Sequence, residues 1–553
     1  MKKFITYIIC ATLLLTSCTK GFEEMNKNPT TPTGTDIPSL FNGAVSSLLL
    51  GWNEQFYLSN EIFYPESELA ALSAEAWGNY SIGTEEIWRN YYAGLANIND
   101  LSVRLDKLCN DSADQEIADY VKAQVIVLKA YKTFKITDIF GDIPYTEAGK
   151  IWLQTDNPDY RQPKFDSQES IYKSLLTELV WARNLFGEAP VKTALNHNYY
   201  TIPATHDNLF GNNWSSWQVF ANALILRHGL RMYDKDPDFA KPLLVEAFSK
   251  PEIPAYGDIC MWPQKLDITK TSTHWSFYEH RNLRMGETAW SRMYDSTSTL
   301  PDGIFDYRAY IFFDTDNYSA EYPKGKWVPF PQIKDENTPN ATGAPYSGSR
   351  SANFWFKPQC NFSPINYYLI RDENYIPEIL FTAADLAFIK AEILARGIVP
   401  GSAMDIDMML TSGIKKSFYF WNQMPDNSPI WTETWDAYAE QQQLGIDVKA
   451  QNMSSYIMNH YYEINGWTIP QEKYLEYIIE QRWINLFRQP WEAWSLARRT
   501  FQTPTTTNYA KLKSYRLPYP PSEVEYNKEN YLQQLNNMSN GDTRSTKVWW
   551  MTK

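Results

Sequence analysis

Six histidines, five cysteines and 64 acidic residues are the groups from which this chain could build a catalytic or metal site. Their spacing forms none of the strong signatures. There is no HExxH pair for zinc, no Walker loop or GxGxxG turn for phosphates, and no GxSxG nucleophile elbow. His274, Glu279 and His280 are close in sequence, but their spacing fits no helical ligand pair. Asp314-Thr315-Asp316-Asn317 has the acids of a calcium loop without the Gly and terminal Glu of an EF-hand. Carboxylates alone leave a glycosidase pair open, because such acids need only meet in space. The chain is richer in another resource: 21 Trp, 37 Tyr and 27 Phe. Many of these rings must fill a core, yet so many Trp and Tyr leave a surplus for surfaces, where a flat ring can stack on a ligand. Ala76-Trp77-Gly78-Asn79-Tyr80-Ser81-Ile82-Gly83 sets two rings and an amide between glycines that hold a loop open. Thr273-His274-Trp275-Ser276-Phe277-Tyr278-Glu279-His280-Arg281-Asn282 adds more rings, and Trp290, Tyr294 and Trp327 follow. Alternation of Trp275 and Phe277 with His274, Ser276 and Tyr278 also fits a short strand with one buried face. Trp483, Trp491 and Trp494 lie at helical spacing around Pro490, which suits buried anchors. Arg498 and Arg499 suit buried ion pairs with scaffold carboxylates better than a ligand clamp.

The elements that must position these rings are mainly helical. Ile87 to Leu108 places Ile87, Tyr91, Leu95, Ile98 and Leu105 on one stripe, and Ile117 to Thr137 follows after a short polar turn, so the two should lie antiparallel. Gly141 can end the second helix in a left-handed cap, and Pro144 forbids continuation. Further helices are predicted over Ser167 to Phe186, Trp214 to Tyr233, Thr382 to Arg396 and Glu472 to Arg488. In FTAADLAFIKAEILARG the stripe Ala384, Ala387, Phe388, Ala391, Leu394 mixes small and large residues, which permits close helix approach, and Gly397 supplies the stop. Helical hairpins with such faces suggest a tetratricopeptide-like array, in which each unit buries its face by stacking on its neighbour. Between helices, Tyr256 to Ile376 is full of Gly, Pro, Asn, Asp and rings. Loops of that length are functional or form a subdomain. The expected fold class is therefore mainly α: a helical-hairpin scaffold carrying a loop-rich, irregular insertion at about residues 256–376.

The N-terminus carries an address. Met1-Lys2-Lys3 and the apolar run from Phe4 to Leu15 are too short to span a bilayer, which takes ~20 apolar residues, and they fit a secretion signal. Leu15-Thr16-Ser17-Cys18 resembles the lipobox of bacterial lipoproteins, in which Cys18 would be acylated and become the mature N-terminus. Residues 1–17 would then be signal, 18–36 a lipidated tether rich in Asn, Thr and Pro, and 37–553 a single domain. The formal charge is −13, and removing Lys2 and Lys3 takes it to −15, which argues against nucleic acid as a partner. Past Cys10 and Cys18, the scattered Cys109, Cys260 and Cys360 make neither a disulfide framework nor a zinc motif; they allow at most one bridge and read better as buried thiols.

Along nearly its whole length the chain resembles the SusD-like (SusD/RagB) outer-membrane lipoproteins that capture nutrients in Bacteroidota. The resemblance is carried by GFEEMNKNPT after the lipobox, YAGLANIND, LKAYKTFKITDIFGDIPYTEA, WQVFANALILRHGLRMYD, FTAADLAFIKAEILARG, IIEQRWINLFRQPWEAWSLARRT, RLPYPPSEVEYNKENY and the closing Lys547-Val548-Trp549-Trp550. Ser272 to Arg350 matches only in outline, with FDYRAYIFF looking like the family's Asp-x-Arg stretch. The resemblance implies a non-catalytic lid over a SusC-like TonB-dependent transporter, lipid-anchored in the outer membrane and facing outward. It implies a glycan ligand, no cofactor and no metal. A peptide or other oligomer as cargo, and a lipid-anchored glycoside hydrolase, are the competing readings. Family members draw ligand contacts from the stretch before the first long helix and from the insertion. Here those stretches offer Trp77, Asn79, Tyr80, Trp275, Tyr278, Arg281, Trp290 and Trp327, with Cys18 as the lipidation site.

Overall fold

Apolar stripes of period 3.6 become long helices that bury one another. The structure, a computed structural model, describes residues 37–73, 76, 78–108, 112–153, 157–188, 206–262, 276, 282–313, 315, 326–332, 362–365, 377–427, 453–501 and 514–552. The first part contains α1 (Ile37–Ser46), α2 (Tyr80–Leu108), α3 (Ser112–Phe140), α4 (Gln168–Glu188), α5 (Trp214–Met232) and α6 (Pro237–Phe248). Each of α2 to α6 packs on the next, as stacked helical hairpins do. The stripe Ile87, Tyr91, Leu95, Ile98 and Leu105 is buried as expected. Gly141 takes φ +83 where α3 stops, and Gly397 takes φ +64 at a later stop. The second part holds α7 (Glu287–Ser291), α8 (Arg308–Phe312), α9 (Ala383–Ala395), α10 (Ala403–Asn427), α11 (Met453–Ile464), α12 (Gln471–Asn485) and α13 (Pro490–Thr500). Among the described residues three two-stranded sheets tie loops together: β1 (Ala71–Leu72) with β5 (Leu283–Arg284), β2 (Ile143–Pro144) with β3 (Phe165–Asp166), and β4 (Ile259–Met261) with β6 (Glu378–Phe381), all antiparallel. Among the described residues no helix is long and apolar enough to cross a membrane.

One helix is the wall between two cores. Leu386, Ile389 and Ile393 of α9 face the core built by α1 to α6, while Ala384, Phe388, Ala391 and Leu394 face a second core formed with α8, α10, α11 and α12. A helix covered on all sides should be apolar all round, yet α9 also buries Asp385, Lys390 and Glu392. Each is paired. Asp385 accepts from Arg227 at 2.8 Å and Arg482 at 2.6 Å, and Glu392 takes both arms of Arg499 at 2.6 and 2.7 Å. Lys390 is bonded to Glu252, and Arg231 to both Asp138 and Glu492. Burial pushes the Asp385, Glu392 and Glu492 carboxyls up, but the neighbouring arginines outweigh it and hold all three below the ordinary carboxylate range. Removing one partner of such a pair leaves a bare buried charge. Arg499 thus fulfils the ion-pair expectation. Arg498, fully buried, donates to the carbonyls of Asp138 and Tyr515 at 2.9 and 2.7 Å and lies over the Trp494 ring. Trp483, Trp491 and Trp494 are core anchors, and Cys260 is a buried thiol.

One boundary differs from expectation. The helix predicted from Ile87 begins at Tyr80, so Gly83 lies inside it. A Cβ at Gly83 would sit 2.7 Å from Leu58 Cγ, so this glycine permits close packing against the π-helical segment Glu54–Phe63 rather than loop freedom. In sequence the two uses of glycine look alike.

Candidate functional site

Backbone pairing assembles the ring-bearing loops. β1 pairs with β5 through Ala71↔Arg284 and Leu72↔Leu283, and Ser73 N donates to Asn282 O at 2.8 Å. The two ring-rich stretches singled out from sequence therefore leave one small sheet. Beyond β5, the segment 326–332 lies alongside: Phe330 N donates to Met285 O at 2.7 Å and Glu287 N to Phe330 O at 3.0 Å. A Cβ on Gly286 would meet Gln332 Oε1 at 2.2 Å, so any larger residue there would displace the Gln332 side-chain amide. Ser363 fixes both strips, its carbonyl accepting from Met285 N at 2.9 Å and its amide donating to Val328 O at 2.8 Å. Next, Tyr294 bridges to Ile304, and Asp295 N donates to Gly303 O at 2.9 Å, closing a loop whose tip is Pro301-Asp302-Gly303.

The product is a ring stack with an acidic edge. Trp290 on α7 stacks with Tyr294 at 4.7 Å and with Trp327 at 5.5 Å, each pair 16° from parallel. The Tyr310 ring meets Trp327 edge-on at 5.4 Å. Trp290, at 9% exposure, is the buried member of the stack, while Tyr294 and Trp327 are half-buried. Exposed Asp302 accepts from Trp327 Nε1 at 3.3 Å and from the Tyr310 hydroxyl at 3.4 Å. Asp302 has φ +56, a left-handed conformation a non-glycine residue adopts at a steric cost. Burial first, and then the Asp302 charge, push the Tyr310 phenol up, while burial and Tyr456 push Tyr307 up to about 12. Both phenols are therefore neutral hydrogen-bond donors near neutrality.

Beneath the stack the Asp-x-Arg stretch is a prop. Asp306 and Arg308 are fully buried and paired at 2.6 and 2.9 Å, and Arg308 also reaches Ser417 Oγ on α10 at 2.8 Å and Gln481 Oε1 on α12 at 2.5 Å. The stack thus stands on a rigid charged joint to the helices. A ring plane with a carboxylate and a phenol at its margin can take the C–H face of a sugar and bond its hydroxyls.

Of the residues expected to touch ligand, the structure brings Trp290 and Trp327 together, with Tyr294 stacked on Trp290. Asn79 is exposed just ahead of α2, and its carbonyl accepts from Ile82 N at 3.0 Å. Tyr80 is the first residue of α2 and packs, half-buried, on the first core, so it is not a loop ring. Trp77, Trp275, Tyr278, Arg281 and Cys18 lie outside the described residues. Sequence reasoning missed Asp302 and Tyr310. The Pro-Asp-Gly triplet at 301–303 is a turn signal that could have drawn attention to Asp302.

With the geometry in hand, comparison with known proteins gives the family. Residues 32–520 match the SusD-like family described as starch-binding and associating with the outer membrane. The chain belongs to that family. Among solved structures, a chitin-binding protein aligns with TM-score 0.66 and 19% identity, covering 94% of this chain and 100% of its own. A SusD homologue from Parabacteroides distasonis aligns with TM-score 0.67 and 18% identity, covering 94% of this chain and 98% of its own. A chitin-binding SusD homologue from Flavobacterium johnsoniae gives TM-score 0.62 and 18% identity, covering 93% and 99%. At these identities the likeness establishes a shared SusD-like fold. No curated protein matches the sequence.

Proposed function

We propose that this SusD-like protein is a non-catalytic, cell-surface glycan-binding lipoprotein, anchored in the outer membrane through Cys18 and acting as the lid of a SusC-like TonB-dependent importer. The observation that supports the ligand class is the Tyr294, Trp290 and Trp327 stack edged by Asp302: half-buried Tyr294 and Trp327 offer faces to sugar rings, with hydrogen-bonding groups at their rim. Family membership supports the outer-membrane setting. The remaining expected contacts, Trp77, Asn79, Trp275, Tyr278 and Arg281, stay candidates for ligand contact in the proposal, and Tyr80 is retained only as a ring at the start of α2.

The test is retention of the full chain on a panel of insoluble and soluble polysaccharides, starch and chitin included, beside peptides, with reducing ends assayed in the same tubes. The reading expects retention on at least one polysaccharide, weakened by Trp327→Ala, with the polymer left intact. Retention only on peptides would move the cargo to another class. Release of reducing ends, lost on changing a carboxylate pair, would make the protein a hydrolase. Co-purification with a barrel transporter, lost when Cys18→Ala releases the chain from the membrane, checks the lid role.

A further inference from the structure

A further ring pair, with one exposed and one half-buried member, lies against α10. On α10, Phe418 and Trp421 are buried, and Ser417 accepts the bond from Arg308 beneath the stack already described. Lys415 and Tyr419, four residues apart, share another side of that helix. There the Tyr256 ring stacks on Tyr419 at 4.8 Å and 22° from parallel, with the Lys415 ammonium 5.7 Å from the Tyr419 centroid. Tyr256 is 59% exposed, far more than any ring of the Trp290 stack. The same surface carries Glu252, bonded to Lys390 and 3.6 Å from Lys416.

The backbone under Tyr256 is unusual. Gly257 N donates to Pro254 O at 2.9 Å, closing a turn in which Tyr256 is the third residue, with φ +66. That turn position calls for Gly or Asn. Glycine stands one place later instead, at Gly257, where a Cβ would lie 2.6 Å from the Pro254 ring. The sequence therefore sets a large ring on a strained backbone and leaves most of it in water. A core ring would recover that cost by burial, and this one does not.

We propose that Tyr256 and Tyr419 form an auxiliary platform across which a second stretch of the same glycan lies, as a run of neutral, hydroxyl-rich sugar rings. The flat ring takes the apolar sugar face, while Lys415 and the Glu252–Lys416 pair offer a donor and an acceptor to hydroxyls at its rim. The inference rests on the glycan reading. It adds a second contact, which strengthens retention on long chains by effective concentration without altering the first site.

The test uses the full chain and whichever polysaccharide retains it. Tyr256→Gly and Tyr256→Asn both suit the left-handed position, so neither should lower the melting temperature. Both should weaken retention on the long polymer by about tenfold or more, while affinity for a short oligosaccharide of the same sugar is unchanged. Trp467→Ala serves as the control, since Trp467 is also left-handed, at φ +71, and 69% exposed. Polymer retention by both Tyr256 variants equal to wild type overturns the platform. An equal loss in the Trp467 control, or a lower melting temperature in both Tyr256 variants, overturns it too, because the ring is then merely sticky or a structural prop. If the unaltered chain binds no polysaccharide, it is the glycan reading itself that fails.

Discussion

In the helical scaffold Trp483, Trp491 and Trp494 are at most 4% exposed, and charged groups such as Asp385, Arg227 and Arg482 are buried in mutual pairs. In the loop-rich part Trp327 and Tyr294 stay half in solvent, and the carboxylate beside them, Asp302, is exposed on a left-handed turn. The same residue types serve two ends. Around α9 they close space, because a helix walled in by two cores can keep a charge only if a partner is fixed against it. At the ring stack, surface is left uncovered, and strain is held in place by an Asp306–Arg308 joint that belongs to the scaffold. Substitutions in the first region should therefore register as stability and those in the second as binding.

That division can be broken at several points. Asp385→Ala strands Arg227 and Arg482 in the interior and should cost about 3–5 kcal/mol, read as a shift of the denaturant midpoint or as failure to fold. Acid probes the same network without mutation. Asp385, Glu392 and Glu492 titrate below the ordinary range when folded, so the unfolded chain takes up their protons first. Their contribution is complete above the usual carboxylate range and is lost as pH falls through the depressed values, so the midpoint should drop on acidification and recover on return. Gly83→Ala forces a methyl against Leu58 and should destabilise by about 1–3 kcal/mol; an unchanged midpoint would mean that the π-helical segment Glu54–Phe63 gives way freely.

Trp327→Ala should sharpen the contrast. We expect a loss of about 1 to 2 kcal/mol in glycan affinity, roughly tenfold, with a smaller change in the midpoint because the ring is only partly buried. An equal loss of fold would place the ring with the scaffold. The smallest effect is expected from Asp302→Gly. Relief of the φ +56 backbone should leave stability within about 1 kcal/mol of wild type, while removing the carboxylate weakens binding a few-fold. A site in which Asp302 only shapes the turn would bind as before.

Gly83 and Asp302 show where sequence reading stopped. Glycine between two rings reads as an open loop, but whether it faces solvent or Leu58 depends on a segment some twenty-five residues away. Asp302 and Tyr310 carry no periodic signal, and they meet Trp327 because backbone bonds to Met285 and Glu287 hold segment 326–332 against β5 and α7. Trp290 and Trp327 could be picked out by type and by their place in the irregular stretch. Their contact with each other could not.

The sequence by itself determined the helical scaffold, its stops at Gly141 and Gly397, the burial of the Trp483, Trp491 and Trp494 rings, and the family, because these rest on local periodicity, capping and a long ordered pattern. Only the tertiary structure decided which rings stand in solvent, that α9 divides two cores, and that Tyr256 and Asp302 sit on strained backbone. Those properties depend on which distant segment covers a residue, and chain neighbours carry no record of that.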